Sequence, residues 1–302
     1  MKIFHLNYLD CINRMQSFIF QGGIKMKKTN LLLAAVCAAT GIGFTTSCGS
    51  TNENVLIVGM ECNYSPFNWT AIKEDEYTLP ISNAKGQYAD GYDVQIAKYL
   101  GEQLDMEVQI MKFEWDSLTT AVNTNMINCI IAGMSYSEER DLVLDFTRNY
   151  YLSEMTMIVR KNDPLANATS IQDFAGKNVG SQLGTLTDSI IDQINNVKHH
   201  TPYNSFGTAA TAVASGEIDA MTAEYPVAVA ICNADPSLTI VSFDSNNGFE
   251  GLNENELGVA VAVKEGNKDL QGKIDNALAS LSLEEQRNMM TSAISRAPAS
   301  EE

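Results

Sequence analysis

The chain alternates short apolar runs with amphipathic runs of helical spacing, and this alternation begins twice. An apolar run at residues 55–59 precedes apolar residues at helical spacing over 94–104, and a second run at 155–159 starts the same alternation again. Strands that alternate with helices are typical of α/β domains with largely parallel sheets. Two successive rounds therefore predict two α/β lobes. The other predicted strands are 108–113, 128–132, 178–180, 218–223, 238–243 and 257–263, and the other predicted helices are 118–122, 138–144, 190–194, 208–215, 227–232, 270–281 and 284–294, with a loop or small hairpin over 70–90.

A secretory signal is predicted near the N-terminus. Residues 26–30 form a basic start, residues 31–44 are apolar, and small residues then lead to Cys48. The apolar stretch is shorter than the roughly 20 residues that a membrane-spanning helix needs. We predict a signal peptide over residues 26–47 and a lipid on Cys48, as in a lipobox. Thr45 stands where most lipoboxes have Leu, Val or Ile, so ordinary cleavage nearby without a lipid is the alternative.

Residues 1–25 fit no such signal. Residues 21–25 read Gln-Gly-Gly-Ile-Lys, which a ribosome-binding site would encode if it were translated. We therefore predict that translation starts at Met26 and that the preceding residues are an annotation artefact. Residues 48–54 would then form a short polar tether.

The charge and the cysteines exclude several kinds of partner. Removal of residues 1–47 leaves 255 residues with 15 basic and 36 acidic side chains, a net charge of −21. Such a surface repels nucleic acid and anionic lipid, so no nucleic-acid partner is expected. Besides Cys48, only Cys62, Cys129 and Cys232 remain, too few and too widely spaced for a disulfide framework or a metal site. We expect no metal and no cofactor.

Polar and aromatic side chains follow the predicted strands, where α/β proteins bind their ligands. Arg140 could hold an α-carboxylate, with help from main-chain N–H groups near Thr185, and Glu224 could take an α-ammonium group. Tyr64 and Trp115 could sandwich the ligand side chain, more favourably if it is cationic. The strand-end residues that form this candidate site for a zwitterion are Glu61, Tyr64, Trp115, Gly133, Ser135, Arg140, Thr185 and Glu224.

Each of these side chains also has a plainer interpretation. Arg140 follows two glutamates and could be a solvated helix charge, and Glu224 could be a surface carboxylate. Trp115 could be a packed aromatic residue without a ligand. The argument for a site depends on their shared position at strand ends.

At these residues the chain resembles the polar amino-acid-binding proteins of ABC importers, which are extracellular solute-binding proteins of family 3. The resemblance covers nearly all of the chain after Cys48, in order, and its motifs are specific when taken together. The segments that carry it are GYDVQIA at 91–97, IAGMSYSEER at 131–140, LDFT at 144–147, YY at 150–151, GSQLGT at 180–185 and GEIDA at 216–220.

The resemblance implies an α/β, two-lobed fold of the periplasmic-binding-protein type II class, a Venus flytrap with two hinge crossings. The first lobe would comprise residues 55–153 and 247–296, and the second lobe residues 154–246. A tail over residues 297–302 would be disordered.

The resemblance also implies roles for the two ends of a bound amino acid. Arg140 would clamp the α-carboxylate, with the main chain of Thr185. Ser135, the carbonyl group of Gly133 and Glu224 would meet the α-amino group.

The side chain of the ligand would face Glu61, Tyr64 and Trp115. Three positions depart from the family pattern: Glu224 and Glu61 each replace a common Asp, and Leu186 replaces a frequent Thr. The two glutamates change the depth of the pocket, and Leu186 removes one hydroxyl contact. Acidic and aromatic candidates favour arginine, lysine or histidine, with glutamine or another polar residue close behind.

The function that follows is capture of a free amino acid outside the cytoplasm by hinge closure, and its delivery to an ABC permease and its ATPase. The protein would be a monomer, lipid-anchored in the periplasm or on a Gram-positive cell surface, and not an enzyme. The alternative is an exported small-molecule enzyme of the same fold, similar to a dehydratase. Hydrolase motifs are absent from the sequence, and only His199 and His200 follow Cys48. A sensor domain is a third possibility, which the lack of a transmembrane run disfavours.

Overall fold

The computed structural model describes residues 54–298, which form two five-stranded sheets and one four-stranded sheet. The strands are β1 Val55–Met60, β2 Asn63–Tyr64, β3 Asn68–Ala71, β4 Leu79–Pro80, β5 Tyr88–Asp90, β6 Glu107–Lys112, β7 Cys129–Ile130, β8 Leu144–Leu152, β9 Met155–Arg160, β10 Asn178–Gly180, β11 Lys198–His199, β12 Ala220–Glu224, β13 Leu238–Val241 and β14 Gly258–Lys264. The α-helices are α1 Tyr92–Leu104, α2 Leu118–Asn123, α3 Glu138–Asp141, α4 Leu186–Ser189, α5 Phe206–Ser215, α6 Tyr225–Ala234, α7 Glu254–Leu257, α8 Lys268–Leu278 and α9 Leu283–Arg296.

The first large sheet has the strand order β6-β1-β7-β14-β8. β1 is parallel to β6 and β7, whereas β14 is antiparallel to β7 and β8. β1 and β14 are apolar along most of their length because helices cover both faces of a parallel sheet. Leu56, Val58 and Val261 are fully buried there.

The second large sheet has the order β11-β10-β12-β9-β13. β10 is parallel to β11 and β12, and β9 is antiparallel to β12 and β13. Its own apolar core includes Met157, Phe174 and Val179. In each sheet, four strands thus run in one direction and one strand, β14 or β9, runs in the opposite direction.

The chain passes between the two sheets twice. The first passage lies between Leu152 and Met155, and the second lies between Val241 and Gly258. β14 returns from the C-terminal part of the chain to the interior of the first sheet. This connectivity confirms the prediction of two α/β lobes joined by two crossings.

The segment after β13 keeps contact with the second lobe. Ile171 donates its backbone N–H to Asn247, and Gln193 exchanges hydrogen bonds with the backbone of Glu250. Phe249 packs against the core of the second lobe. We therefore propose that the second lobe extends to Glu250, rather than ending at residue 246. The other predicted boundaries stay predictions.

Several local predictions were wrong. The nine-residue strand β8 was not predicted, because its Thr-Arg-Asn sequence is polar. β8 lies at the edge of the first sheet and pairs with β14 only. The helix predicted over 138–144 ends at Asp141, where β8 is about to begin. The helix predicted over 190–194 is a 3-10 helix, Ile190–Gln193, because Ile194 is already extended.

Residues 63–90 form the four-stranded antiparallel sheet, of order β2-β3-β5-β4. Of the predicted loop or small hairpin over 70–90, the hairpin is present as the antiparallel pair of β4 and β5. This sheet leads through Gly91 into α1. Gly91 has a φ of 128°, and a Cβ atom there would lie 2.3 Å from the carbonyl oxygen of Phe67. Only glycine fits this approach of two backbone segments.

Cys48 and the predicted signal peptide lie outside the described residues, as do residues 299–302 of the predicted tail. Of that tail, the described residues Ala297 and Pro298 follow α9, and Pro298 lines a groove beside α5 and α6. None of the helices between residues 54 and 298 combines the length and hydropathy of a membrane span.

A partly buried ion pair fixes the C-terminal helix. Arg296, the last residue of α9, donates two hydrogen bonds to Asp90, at 2.9 and 3.1 Å. The guanidinium carbon of Arg296 also lies 3.8 Å from the centroid of the Tyr77 ring. α9 contacts α1 in the first lobe and α6 in the second. The Arg296–Asp90 pair therefore attaches a helix that contacts both lobes to the first lobe.

We expect Arg296→Ala to lower the free energy of unfolding by about 1–3 kcal/mol, because Asp90 would stay buried without its main partner. Urea denaturation measures this change. Lys273→Ala is the control, since the Lys273–Asp269 pair is exposed (60% and 80%). The control should change stability by less than about 0.5 kcal/mol. Equal effects of the two substitutions would contradict the assigned role of Arg296.

Candidate ligand-binding site

A cavity lies where the carboxyl ends of the two sets of parallel strands meet. Its free volume is only about 20 Å³, room for little more than one water molecule, because side chains of the two lobes meet across it. Residues from both lobes line it: Glu61, Tyr64, Trp115, Ser135, Arg140, Gln182, Thr185, Leu186, Phe206 and Glu224. Seven of the eight residues predicted from the sequence are in this set.

The eighth, Gly133, lies against Tyr64 beside the cavity. A Cβ atom at Gly133 would come within 2.7 Å of the Tyr64 ring, and Gly133 has a φ of 61°. The turn after β7 can therefore pass under the tyrosine only with glycine at this position.

Arg140 reaches the cavity from α3, where Ser137 caps the helix by accepting the backbone N–H of Arg140. Its guanidinium donates to the carbonyl oxygens of Ser135 at 2.6 Å and of Gly184 at 2.8 Å. It lies 5.4 Å from the centroid of the Trp115 ring. Burial lowers the pKa of Arg140, and nearby Glu139 opposes that shift. Arg140 is thus no solvated helix charge, and it remains protonated at any ordinary pH.

Glu224 ends β12 and is only 5% exposed, so the interpretation as a surface carboxylate is wrong. Its carboxylate accepts a hydrogen bond of 2.5 Å from the Tyr64 hydroxyl of the other lobe. Burial raises the pKa of Glu224, and the bond from Tyr64 counteracts part of the rise.

Glu61 follows β1 and is likewise 5% exposed. The side-chain amide of Gln182 donates to Glu61 at 3.0 Å and to the carbonyl oxygen of Asn204 at 3.0 Å. A carboxylate of the first lobe is therefore bound by an amide that the second lobe holds in place.

The aromatic rings of the cavity contact different groups, and the sandwich of a ligand side chain between Tyr64 and Trp115 stays a prediction. The Tyr64 ring stacks on Phe67 at 5.3 Å and contacts Phe206 of the second lobe at 4.7 Å. Trp115 lies instead over Arg140, and its ring N–H points to the carbonyl oxygen of Gly184 at 3.4 Å.

Thr185 caps α4. Its hydroxyl accepts the backbone N–H of Asp188 at 3.2 Å and donates to the carbonyl oxygen of Gln182 at 2.7 Å. The turn after β10 is thereby closed on itself, and it presents Gln182, Thr185 and Leu186 to the cavity.

Sequence reasoning missed Gln182 and Phe206 as site residues and named Leu186 only as a departure from the family pattern. Gln182 lies inside the GSQLGT segment, so the rule of strand ends could have found it. Phe206 begins α5 after a connecting loop, and no rule of strand ends points to it.

The two histidines do not line the cavity. His199 lies behind α4, with its ring nitrogens 3.0 Å from Asp188 and 2.9 Å from Asp192. Within residues 54–298, no group of three or more His, Cys, Asp or Glu side chains could hold a metal ion.

Two α/β lobes that enclose a charged, polar cavity define the class of solute-binding proteins that close around a small molecule. The family model of bacterial extracellular solute-binding proteins, family 3, matches residues 56–291, and the chain belongs to this family. This result confirms the resemblance and the type II fold found in the sequence.

The arginine-binding extracellular protein ArtP of Bacillus subtilis is 31% identical over 169 residues, which are 54% of this chain and 58% of ArtP. A probable histidine-binding protein of Campylobacter jejuni is 28% identical over 238 residues, 75% of this chain and 85% of that protein. The structure of AbpA, an amino acid ABC transporter substrate-binding protein of Streptococcus pneumoniae bound to L-arginine, is similar with a TM-score of 0.66 and 25% identity. The match covers 82% of this chain and 97% of AbpA.

The pair of carboxylates around His199 predicts a pH dependence of stability. Burial lowers the pKa of His199, but the hydrogen bonds and charges of Asp188 and Asp192 outweigh it and leave the pKa raised. The imidazolium therefore contributes stability that is fully present below about pH 6.5 and is lost as the pH rises through the folded-state pKa.

We expect His199→Gln to remove this part of the pH dependence, as measured by urea denaturation across pH 5 to 9. Asp192→Asn is the control. It should weaken the pH dependence of stability when His199 is present, and it should have no further effect on that dependence in the His199→Gln variant. Parallel curves for wild type and His199→Gln would show that the pair of carboxylates does not hold an imidazolium.

Proposed function

We propose that this protein captures a free amino acid outside the cytoplasm and delivers it to an ABC permease. One observation carries the proposal: Arg140 of the first lobe and the buried Glu224 of the second lobe line one cavity. A guanidinium and a carboxylate on opposite lobes complement the two charged ends of a zwitterion. The family membership supports the same conclusion.

The α-carboxylate of the ligand would bind Arg140, whose five N–H donors exceed the two bonds it makes to Ser135 and Gly184. The main chain at Thr185 would contribute from the second lobe. The α-ammonium group would bind Glu224, Ser135 and the carbonyl oxygen of Gly133. In this arrangement the ammonium group would bind Glu224 either in place of the Tyr64 hydroxyl or beside it.

The ligand side chain would face Glu61, Tyr64 and Trp115, with Phe206 from the second lobe. Glu61 adds a second buried carboxylate to the cavity beside Glu224, and two carboxylates with one guanidinium favour a ligand that carries a further positive charge. A basic amino acid is therefore the proposed ligand, and a polar one such as glutamine comes second. Relatives named for arginine and histidine support this choice.

Closure of the lobes would trap the ligand. A ligand favours the closed form only through contacts that the open form lacks. Each hydrogen bond to a charged group contributes about 1.5–3 kcal/mol. Two or three such bonds made on closure shift a mostly open population to a mostly closed one.

The surrounding machinery follows from the same proposal. The protein would be exported by the signal at residues 26–47, anchored through a lipid on Cys48, and held at the membrane by the tether that follows. It would act as a monomer that meets the permease and its ATPase in the closed form. Residues 1–25 would not be translated.

The alternative, an exported enzyme of the same fold, draws on the carboxylates of Glu61 and Glu224 as acid–base groups. Polar ligand binding accounts for both with fewer assumptions, and the family comprises binding proteins. Incubation of the protein with amino acids and arogenate-like acids, followed by product analysis, separates the two functions.

We expect Arg140→Ala to weaken the binding of L-arginine at least about 100-fold, since it removes two or more bonds to a charged carboxylate. Isothermal titration calorimetry measures the affinity, and circular dichroism checks that the fold persists. Arg140→Lys keeps the charge but loses the planar pair of donors, so it should recover only part of the loss. Unchanged affinity in Arg140→Ala would refute the carboxylate clamp.

We expect Glu61→Gln to reduce the affinity for L-arginine about tenfold more than the affinity for L-glutamine, because it removes the carboxylate proposed to bind a cationic side chain. Glu102→Gln, an exposed substitution on α1, is the control and should leave both affinities unchanged. Equal losses for the two ligands would assign Glu61 to the shared part of the amino acid instead.

A further inference from the structure

A buried carboxylate lies beneath the candidate site without lining it. Asp93 is the second residue of α1 and is fully buried. The N-terminal end of a helix favours a negative charge, but an isolated buried carboxylate is costly. Burial raises the pKa of Asp93 to about 7, and the hydrogen bonds from Tyr150 and Asn68 oppose that rise. An apolar side chain would fill the same space in the core at a lower cost in folding free energy.

One oxygen of Asp93 supports the turn after β1. The side-chain amide of Asn68 donates to Asp93 at 2.7 Å, and the carbonyl oxygen of the same amide accepts the backbone N–H of Cys62 at 2.7 Å. Cys62 has a φ of 52°, which a residue with a Cβ atom rarely adopts. The turn that carries Glu61 and leads to Tyr64 is therefore held in an unfavourable backbone conformation by Asn68.

The other oxygen supports the turn after β7. The hydroxyl of Tyr150 donates to Asp93 at 2.7 Å and accepts the backbone N–H of Gly133 at 3.0 Å. Gly133 also has a positive φ, of 61°. This turn continues to Ser135, which lines the cavity.

We infer that Asp93 is a positioning residue that fixes both ligand-facing turns of the first lobe, one through Asn68 and the other through Tyr150. The inference rests on the proposed function for its effect on affinity. Its structural part concerns the two turns alone, so a measurement that needs no ligand can test it separately.

The donors and acceptors of the network allow a swap that keeps every bond. In Asp93→Asn, the new amide turns one acceptor into a donor, so one of the bonds from Tyr150 and Asn68 is lost. In Asn68→Asp, two carboxylates face each other. In the double variant Asn68→Asp/Asp93→Asn, the new carboxylate at position 68 accepts from Cys62 and from the new amide at position 93. The carbonyl oxygen of that amide accepts from Tyr150. The same three bonds are restored with the roles of the two side chains exchanged.

We expect each single variant to bind L-arginine about tenfold or more weakly, and the double variant to bind within about threefold of wild type. Calorimetry gives the affinities and urea denaturation gives the stabilities. A loss of affinity at little changed stability, reversed by the swap, supports the inference. Single variants that bind as wild type, or a swap that restores stability without affinity, would overturn it.

Hydrogen exchange at the backbone amides of Cys62 and Gly133 tests the turns without ligand. Asp93→Asn should speed exchange at the amide whose turn loses its bond, either Cys62 or Gly133, and Tyr150→Phe should speed it at Gly133 alone. Tyr92→Phe is the matched control, because the buried Tyr92 hydroxyl bonds to the carbonyl oxygen of Tyr150 and not to Asp93. Unchanged exchange at both amides in Asp93→Asn and Tyr150→Phe would overturn the inference. Faster exchange in a protein that binds none of the twenty amino acids would support the role of Asp93 and refute the proposed function.

Discussion

The buried polar groups of the cavity find partners on the opposite lobe, and the closed arrangement depends on this matching. Glu224 of the second lobe accepts from Tyr64 of the first, and Glu61 of the first lobe accepts from Gln182 of the second. Arg140 donates across the same gap to Gly184. A buried polar group without a partner costs about 1–3 kcal/mol. The two lobes therefore close favourably only when these groups are matched, either by one another or by a bound molecule of the same polarity.

The topology places these groups where they can meet. In each lobe the parallel strands end at the cleft, so the turns after β1, β7, β10 and β12 all approach the same space. The first lobe fixes its turns with a buried network around Asp93, whereas the turn of the second lobe is closed locally by the cap at Thr185. The two lobes thus fix their turns by different means.

Strong periodicity and strand-end position made most of the fold and the site predictable from the sequence. β1 is a continuous apolar run, and α1 repeats apolar residues at helical spacing. Glu224 ends a strand, and Arg140 lies on the short helix that follows β7. β8 escaped prediction because an edge strand with one exposed face carries polar residues. Phe206 was not predicted as a site residue, because its contact with Tyr64 depends on how the two lobes meet and no local sequence pattern indicates that contact. The hydrogen bond between Tyr64 and Glu224 joins residues 160 positions apart, and only the tertiary structure brings them together.

The position of β14 has a consequence for how the protein is made. β14 lies inside the first sheet, between β7 and β8, yet it is the last strand to be synthesised. The nascent first lobe therefore exposes two unpaired strand edges until the whole second lobe has left the ribosome. Contacts between such distant segments form slowly, because a long loop must close first. Such a chain stays incompletely folded until its synthesis is nearly finished, which would suit the proposed export of an unfolded polypeptide.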